Sequence, residues 1–282
     1  MQVSTLFCYP IKSCRGSPCQ NILIGLNGPI GDRAFMVVDG KDPTQFITQR
    51  QEARLALVEP VLTETHLEVA AEGMSPISRH RDSWREGQRV WTKVHKHDCM
   101  GVDQGDRFAE WFSDLLHRHT RLLWMPDDHI REPDRLPAGV RAPFKFADGY
   151  PLLLASETSL AALNAVLPKD LPPFTMDRFR PNIVVDGTEG DPWAEETWLR
   201  FLCGSVHMRG VKLCDRCAII TTDQLTGERM PKLLAALLKA HSGERDGKPV
   251  PIFGMNLIPE TGGAVHVGDR IKHIEFGSRP AL

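Results

Sequence analysis

Leu213-Cys214-Asp215-Arg216-Cys217-Ala218-Ile219-Ile220-Thr221-Thr222-Asp223 places two thiols and a guanidinium directly before a run of branched residues. Ala218 to Thr222 predicts a strand, since β-branched side chains suit a pleated, half-buried surface. The cysteines then stand at a strand entrance. A thiolate is a good ligand for a thiophilic transition metal, and a nearby cation favours the ionised sulfur and attracts anions. A metal cofactor that carries its own phosphate would use both properties at one spot.

The tetrapeptide alone leaves several readings open. A thioredoxin-like dithiol belongs at a helix start in a βαβ unit, whereas a strand is expected here. A structural zinc site needs a second ligand pair, and no second CxxC is present. A single thiolate ligand to a metal cofactor is the third reading. A buried, inert cysteine pair is the fourth, and it is common for free cysteines.

Outward from this point the chain reads as many short strands and few helices. Towards the N-terminus, Asn21 to Ile24, a glycine turn at Gly25 to Gly31, and Ala34 to Asp39 form strand, turn, strand. Phe46 to Gln49, Ala56 to Pro60, His66 to Ala71 and Arg89 to Val94 continue the rhythm, with Met74 to Gln88 expected as a polar surface loop. Asp106 caps a helix on which Phe108, Trp111, Phe112 and Leu115 recur at helical spacing, ending near His119. The proline-rich stretch from Pro126 to Pro143 reads as a connector, and a domain boundary is expected near residue 120. The second half predicts strands at Pro151 to Ala155, Asn182 to Asp186, Arg200 to Cys203 and Val206 to Val211, with Thr226-Gly227 turning after Ala218 to Thr222. Ser156 caps a helix through Leu160, Leu163 and Leu167. Pro231 opens another through Leu233, Leu234, Leu237 and Leu238. Ala264 to Ile271 reads as a hairpin with a Gly268-Asp269 turn. The architecture expected is α+β and β-rich, barrel-like in both halves, with domains at 1–120 and 121–282.

Composition narrows the function classes. Hydrophobic residues are 41% and charged residues 25%, ordinary for a soluble globular chain. Lys plus Arg (34) nearly balances Asp plus Glu (36), so charge gives no reason to expect nucleic acid or an anionic membrane as partner. No apolar run approaches the ~20 residues of a membrane span, and the first residues lack signal-peptide character. Seven scattered cysteines argue against a disulfide framework and for a reducing compartment, with cytoplasm as the expected location.

Three further clusters carry potential chemistry. His95, His97 and Cys99 would share one face of a strand. Alternate residues on a strand lie ~6–7 Å apart, which is wide for one ion, and a solvated strand end leading to the Asp106 helix is the favoured reading. Tyr9-Pro10-Ile11-Lys12-Ser13-Cys14-Arg15-Gly16 offers ammonium, hydroxyl and guanidinium donors after a proline bend, suited to an anion or to an ordinary polar turn. Gly31-Asp32-Arg33 and Arg178-Phe179-Arg180-Pro181-Asn182 are similar, and the Asn182 amide has the donor and acceptor needed to read a heterocycle edge. Neither GxxxxGK[ST] nor GxGxxG occurs.

The joint order of these pieces resembles the MOSC family: the molybdenum-cofactor sulfurase C-terminal domain behind its β-barrel N-terminal partner. The branch is that of the mitochondrial amidoxime-reducing component and its bacterial relatives. The pieces are Tyr9 to Cys14, Gly31 to Phe35, Gln49-Arg50-Gln51, Arg178 to Val185, Trp193, Cys214 to Cys217, Thr221-Thr222-Asp223, Thr226-Gly227, Phe253-Gly254-Met255-Asn256 and Val267-Gly268-Asp269. The resemblance implies a molybdopterin-type molybdenum cofactor between the domains, with Cys217 as the catalytic metal ligand. It implies that Lys12, Ser13, Arg33, Arg180, Asn182, Asp215 and Arg216 hold the pterin and its phosphate. Asp215 stands where relatives often carry Ser, and Tyr150 where they carry a small residue, altering the rim. Cys214 is expected to act behind the ligand. The activity implied is reduction of N-hydroxylated compounds such as amidoximes and hydroxylamines by oxygen-atom abstraction. A rival from another class is a carrier of the cofactor or its sulfur without turnover. No plant-type iron–sulfur spacing occurs. Electrons are therefore expected from a separate protein: a ferredoxin, a cytochrome b5-type protein or a flavin reductase. Neither the membrane anchor of the mitochondrial members nor the ferredoxin domain of some bacterial ones is expected in this chain.

Overall fold

The computed structural model describes residues 1–134, 136, 140–187, 191–280 and 282. Its largest element is a nine-stranded sheet. The order along the sheet is Ile271–Phe276, Trp198–Cys203, Val206–Asp215, Lys248–Pro259, Leu152–Ser156, Ile183–Asp186, Gln2–Cys8 and Ser17–Cys19, with Ser242–Arg245 paired to Lys248–Pro259. Gln2–Cys8, from the start of the chain, runs antiparallel to Ile183–Asp186. The two halves of the sequence are thus knitted into one sheet before the chain reaches Tyr9. A four-stranded sheet, Phe35–Asp39, Thr120–Trp124, His97–Asp103 and Arg89–Val94, carries the helix Asp106–Leu116. Phe108, Trp111 and Phe112 of that helix bury the face their spacing predicts, in a cluster with Phe35, Trp84 and Trp124. Two three-stranded sheets complete the barrel-like, mostly β architecture. None of the helices among the described residues is long and apolar enough to cross a membrane.

Several local expectations are overturned. Ala218–Thr221 is a 3-10 turn, and the strand lies before it, Val206–Asp215. The branched side chains are buried by tertiary packing instead: Ile220 packs with Leu233 and Leu237 of the helix Lys232–Ala240. Thr221 Oγ1 donates to the Ala218 carbonyl (2.7 Å), a local bond that competes with extended backbone. Met74 to Gln88 contains the strand Ile77–His80 and a 3-10 turn, because Trp84 is drawn into the core edge-to-face on Phe35 (4.9 Å, 87°). Phe46 to Gln49 forms only an isolated bridge, Val38 to Phe46, and Ala56 lies in the 3-10 turn Ala53–Leu57 before the strand Glu59–Leu62.

The expected terminal hairpin does not form. Gly263–His266 pairs with Asn21–Gly25, and Ile271–Phe276 pairs with Trp198–Cys203. The Gly268 N–H bonds to the Val3 carbonyl (2.8 Å), so the turn joins two sheets rather than two neighbouring strands. His95 sits at positive φ (54°) in the turn before His97–Asp103, so His95, His97 and Cys99 do not share one strand. His95 pairs with Asp148 and His97 with Asp134, each at 2.9 Å. Of the Pro126 to Pro143 connector, residues 135 and 137–139 lie outside the described residues. Its buried Arg131 donates to the carbonyls of Lys145 (3.1 Å) and Asp148 (3.0 Å).

Candidate functional site at the seam between the halves

The first strand of the large sheet ends at Cys8 and delivers Tyr9 to Cys14 to the seam. Ile11 bridges to Phe35, and the Lys12 N–H bonds to the Phe35 carbonyl (2.8 Å), so this loop is tied to the smaller sheet as well. Lys12 is buried, and its ammonium donates to the Phe146 carbonyl (2.8 Å) and to Asp148 (2.6 Å). Burial pulls the Lys12 ammonium below its usual range, with Asp148 opposing in part. Ser13 lies beside it at positive φ (66°).

Tyr9 organises two arginines. Its hydroxyl donates to the Pro181 carbonyl (3.0 Å), and its ring lies 4.2 Å from the Arg33 guanidinium and 4.4 Å from that of Arg180. Gly16 makes room for this ring: a Cβ there would fall 2.3 Å from Tyr9 Cε1. Arg33 (φ 45°) and Arg180 (φ 57°) share with Ser13 the left-handed backbone conformation. Non-glycine residues reach it at an energetic cost that surrounding structure must offset, and such strain concentrates at functional sites.

The two arginines differ in what their guanidinium groups do. Arg33 pairs with Asp32 and donates to Asn182 Oδ1 (3.0 Å) and to the Arg180 carbonyl (3.1 Å). Asn182 is wholly buried: Nδ2 donates to Asp32 (3.0 Å) and the Phe7 carbonyl (3.3 Å), and Oδ1 also accepts from Leu153 N (3.2 Å). This network props the loop on which Arg180 stands. Arg180 itself is buried, yet both of its terminal nitrogens lack a hydrogen-bond partner. Burial is the main cause that pulls this guanidinium below its ordinary value. An unpartnered buried cation is costly, and a bound anion would relieve it.

On the other wall, Cys217 follows the end of the strand Val206–Asp215. Its side chain is exposed and its thiol free. Arg216 turns inward: Nη1 donates to Cys214 Sγ (2.8 Å) and Nη2 to the Phe179 carbonyl (2.6 Å), while Nε is buried without a partner. Cys214 is pushed up by burial, and Arg216 lowers it in part. Asp215 gives one carboxylate oxygen to Lys212 (3.0 Å) and the other to Arg245 (2.6 Å). Cys217 therefore connects through Arg216 and Phe179 to the orphaned Arg180.

Reading the sequence singled out no role for Arg50, Gln49 or Gln224. Arg50 Nη1 lies 3.6 Å from Cys217 Sγ. Gln49 and Gln224 exchange reciprocal amide bonds (2.9 and 3.0 Å), and Gln49 also donates to the Ser13 carbonyl (2.8 Å). Gln49 and Arg50 stood in one of the family pieces, but nothing local in sequence ties residue 49 to residue 224. Among the described residues no group of three His, Cys, Asp or Glu side chains is arranged to hold a metal ion. One exposed thiol, with buried guanidinium and ammonium groups a loop away, suits instead a metal that arrives on a phosphate-bearing carrier.

Two family profiles match this chain. The MOSC N-terminal beta barrel domain covers residues 1–119, and the MOSC domain covers residues 141–272. The chain belongs to the MOSC family. It is 33% identical over 293 residues to the mitochondrial amidoxime reducing component 2 of Rattus norvegicus, spanning 95% of this chain and 82% of that protein. It is 30% identical over 285 residues to the mitochondrial amidoxime-reducing component 1 of Homo sapiens, with the same coverage. Among solved structures, the YUAD protein from Bacillus subtilis aligns over 98% of this chain and 96% of that chain at 12% identity and a TM-score of 0.42, too slight a likeness to argue from.

Proposed function

We propose that this protein is a molybdenum-cofactor-dependent oxidoreductase that reduces N-hydroxylated compounds with electrons from a separate redox protein. The observation that carries this reading is an exposed free thiol, Cys217, whose neighbour Arg216 is bonded to the Phe179 carbonyl next to a buried guanidinium, Arg180, with no hydrogen-bond partner at its terminal nitrogens. The amidoxime-reducing names of relatives at 30–33% identity support the choice of reaction.

Cys217 would hold the metal through its thiolate. Arg180 and Lys12 would neutralise the phosphate, with Ser13 adding a neutral donor. Arg33 and Asn182 would keep the Arg180 loop in place, and Arg216 would fasten the ligand turn to Phe179. Asp215 would brace the same turn through Lys212 and Arg245. When bound, the cofactor supplies two-electron redox chemistry, with the balance R–C(NH2)=N–OH + 2 H+ + 2 e− → R–C(NH2)=NH + H2O.

The test replaces Cys217 with Ala and measures molybdenum per chain and benzamidoxime reduction with a chemical electron donor. Loss of turnover is expected, and a smaller loss for Cys214→Ala. Full turnover of Cys217→Ala would remove the proposed ligand. Stoichiometric molybdenum in the unaltered protein without turnover would instead make it a carrier.

A further inference from the structure

Arg50 is not an ordinary surface arginine. Its backbone is held on several sides. Arg229 donates to the carbonyls of Gln49 (2.6 Å) and Arg50 (3.0 Å). The adjoining Gln49 is locked to Gln224 and to Ser13, and Gln51 Oε1 accepts from Thr48 N (3.1 Å) and Thr48 Oγ1 (2.5 Å). Gln49 and Gln224 are buried, so the clamp excludes water. A loop of the N-terminal half is thereby fastened to the Thr222–Arg229 loop of the C-terminal half, and the residue it presents to the Cys217 thiol is Arg50.

The guanidinium at the end of this support has no carboxylate. Neighbouring Arg54, Arg118 and Arg178 pair with Glu52, Asp39 and Asp223, but among the described residues Arg50 forms no ion pair. A structural arginine is held by protein acceptors, as Arg229 is by two carbonyls, whereas among the described residues the Arg50 side chain bonds only to the Cys217 sulfur. An arginine needed only for solubility would have no use for a buried base. Because Cys217 is exposed and Arg50 Nη1 lies 3.6 Å from its sulfur, a substrate reaching the thiol would meet the guanidinium as well.

We infer that Arg50 is the specificity-determining residue of this site and selects N-oxygenated substrates that carry an anionic group near the N–O bond, a carboxylate or an ionised hydroxamate oxygen. This rests on the reading of Cys217 as metal ligand under the proposed function. A planar guanidinium pairs with such oxygens in bidentate fashion, which fixes orientation as well as charge.

The test uses the full chain with Arg50→Gln and Arg50→Lys. In the cofactor-free protein, Cys217 alkylation is followed by peptide mass spectrometry with anionic iodoacetate and neutral iodoacetamide at one pH. The ratio of the two rates cancels the thiol's own ionisation. One cation about 6 Å away in a water-like medium changes that ratio about threefold, and more as the local dielectric falls. Arg50→Gln is therefore expected to lower the ratio at least about threefold at low ionic strength, Arg50→Lys less, and added salt to erode the advantage of the unaltered protein. Equal ratios would overturn the inference. In the molybdenum-loaded protein, Arg50→Gln is expected to raise KM for an N-hydroxy amino acid about 10-fold more than for neutral benzamidoxime, in line with loss of a charged hydrogen bond. Equal rises in KM, or loss of molybdenum from Arg50→Gln alone, would overturn it, the latter making Arg50 a cofactor-holding residue. A loaded, unaltered protein without turnover would defeat the reductase reading, while the alkylation ratio would still decide whether Arg50 attracts anions.

Discussion

Asn182→Ala is the perturbation that most sharply separates support from recognition at this site. Asn182 is wholly buried and its amide serves four neighbours: Asp32, the Phe7 carbonyl, Arg33 and Leu153 N. Truncation removes all four contacts at a site closed to bulk solvent. Asp32 keeps Arg33 and the Tyr9 N–H, and Arg33 keeps Asp32 and the Arg180 carbonyl, so not every partner is orphaned. Each group left short of a buried partner costs about 1–3 kcal/mol, and such losses within one network are not additive. A total near 3–5 kcal/mol is expected, which for a chain of this size lowers Tm by about 5–8 °C. The assay is thermal and urea unfolding of the cofactor-free protein. If Asn182 instead served to read a bound heterocycle, the cofactor-free protein would melt within about 2 °C of the unaltered chain and only cofactor retention would fall. That result would refute the account of the Arg33–Asp32–Asn182 network as a prop.

Two further perturbations probe the same frame. Burial raises the Glu195 carboxyl to about 7, against 4.5 for the free side chain, while Ser159 Oγ donates to it (2.9 Å). The folded state holds a proton that the unfolded chain releases, so this contribution is full below about pH 4.5 and is lost as pH rises through about 7, by roughly 3 kcal/mol. Glu195→Gln should therefore flatten the fall in Tm between pH 5 and pH 8, and parallel melting curves for the two proteins would count against it. Gly16→Ala should destabilise the protein by about 1–3 kcal/mol and lower cofactor retention, because the new methyl meets the rigid Tyr9 ring and displaces it from Arg33 and Arg180. Unchanged unfolding would show that the ring has room to move.

How much of this was legible in the sequence varies with the distance over which each signal acts. The helix Asp106–Leu116 shows its buried face in the spacing of Phe108, Trp111 and Phe112, because helical periodicity is local. The ordered family pieces pointed to two MOSC-type domains without any contact information, and both profiles match. Trp84 lay in a stretch too polar to suggest burial, and only its fit against Phe35 shows why it is inside. The two arginines beside Tyr9 are alike on paper. Their difference, one bonded and one orphaned, depends on Asn182 meeting Asp32 and Arg33 from about 150 positions away in the chain.

Local pattern, then, settled which segments are extended or helical wherever their own side chains dominated the choice, and it supplied the thiol and the cations. Tertiary packing alone decided that the branched residues after Cys217 turn instead of extending, that the segments flanking Gly268 join different sheets, and that Arg50 stands beside a thiol 167 positions away. The physical reason is common to all three. Each outcome is set by burial or hydrogen bonding to partners remote in the chain, and a segment's own residues carry no record of which partner it will meet.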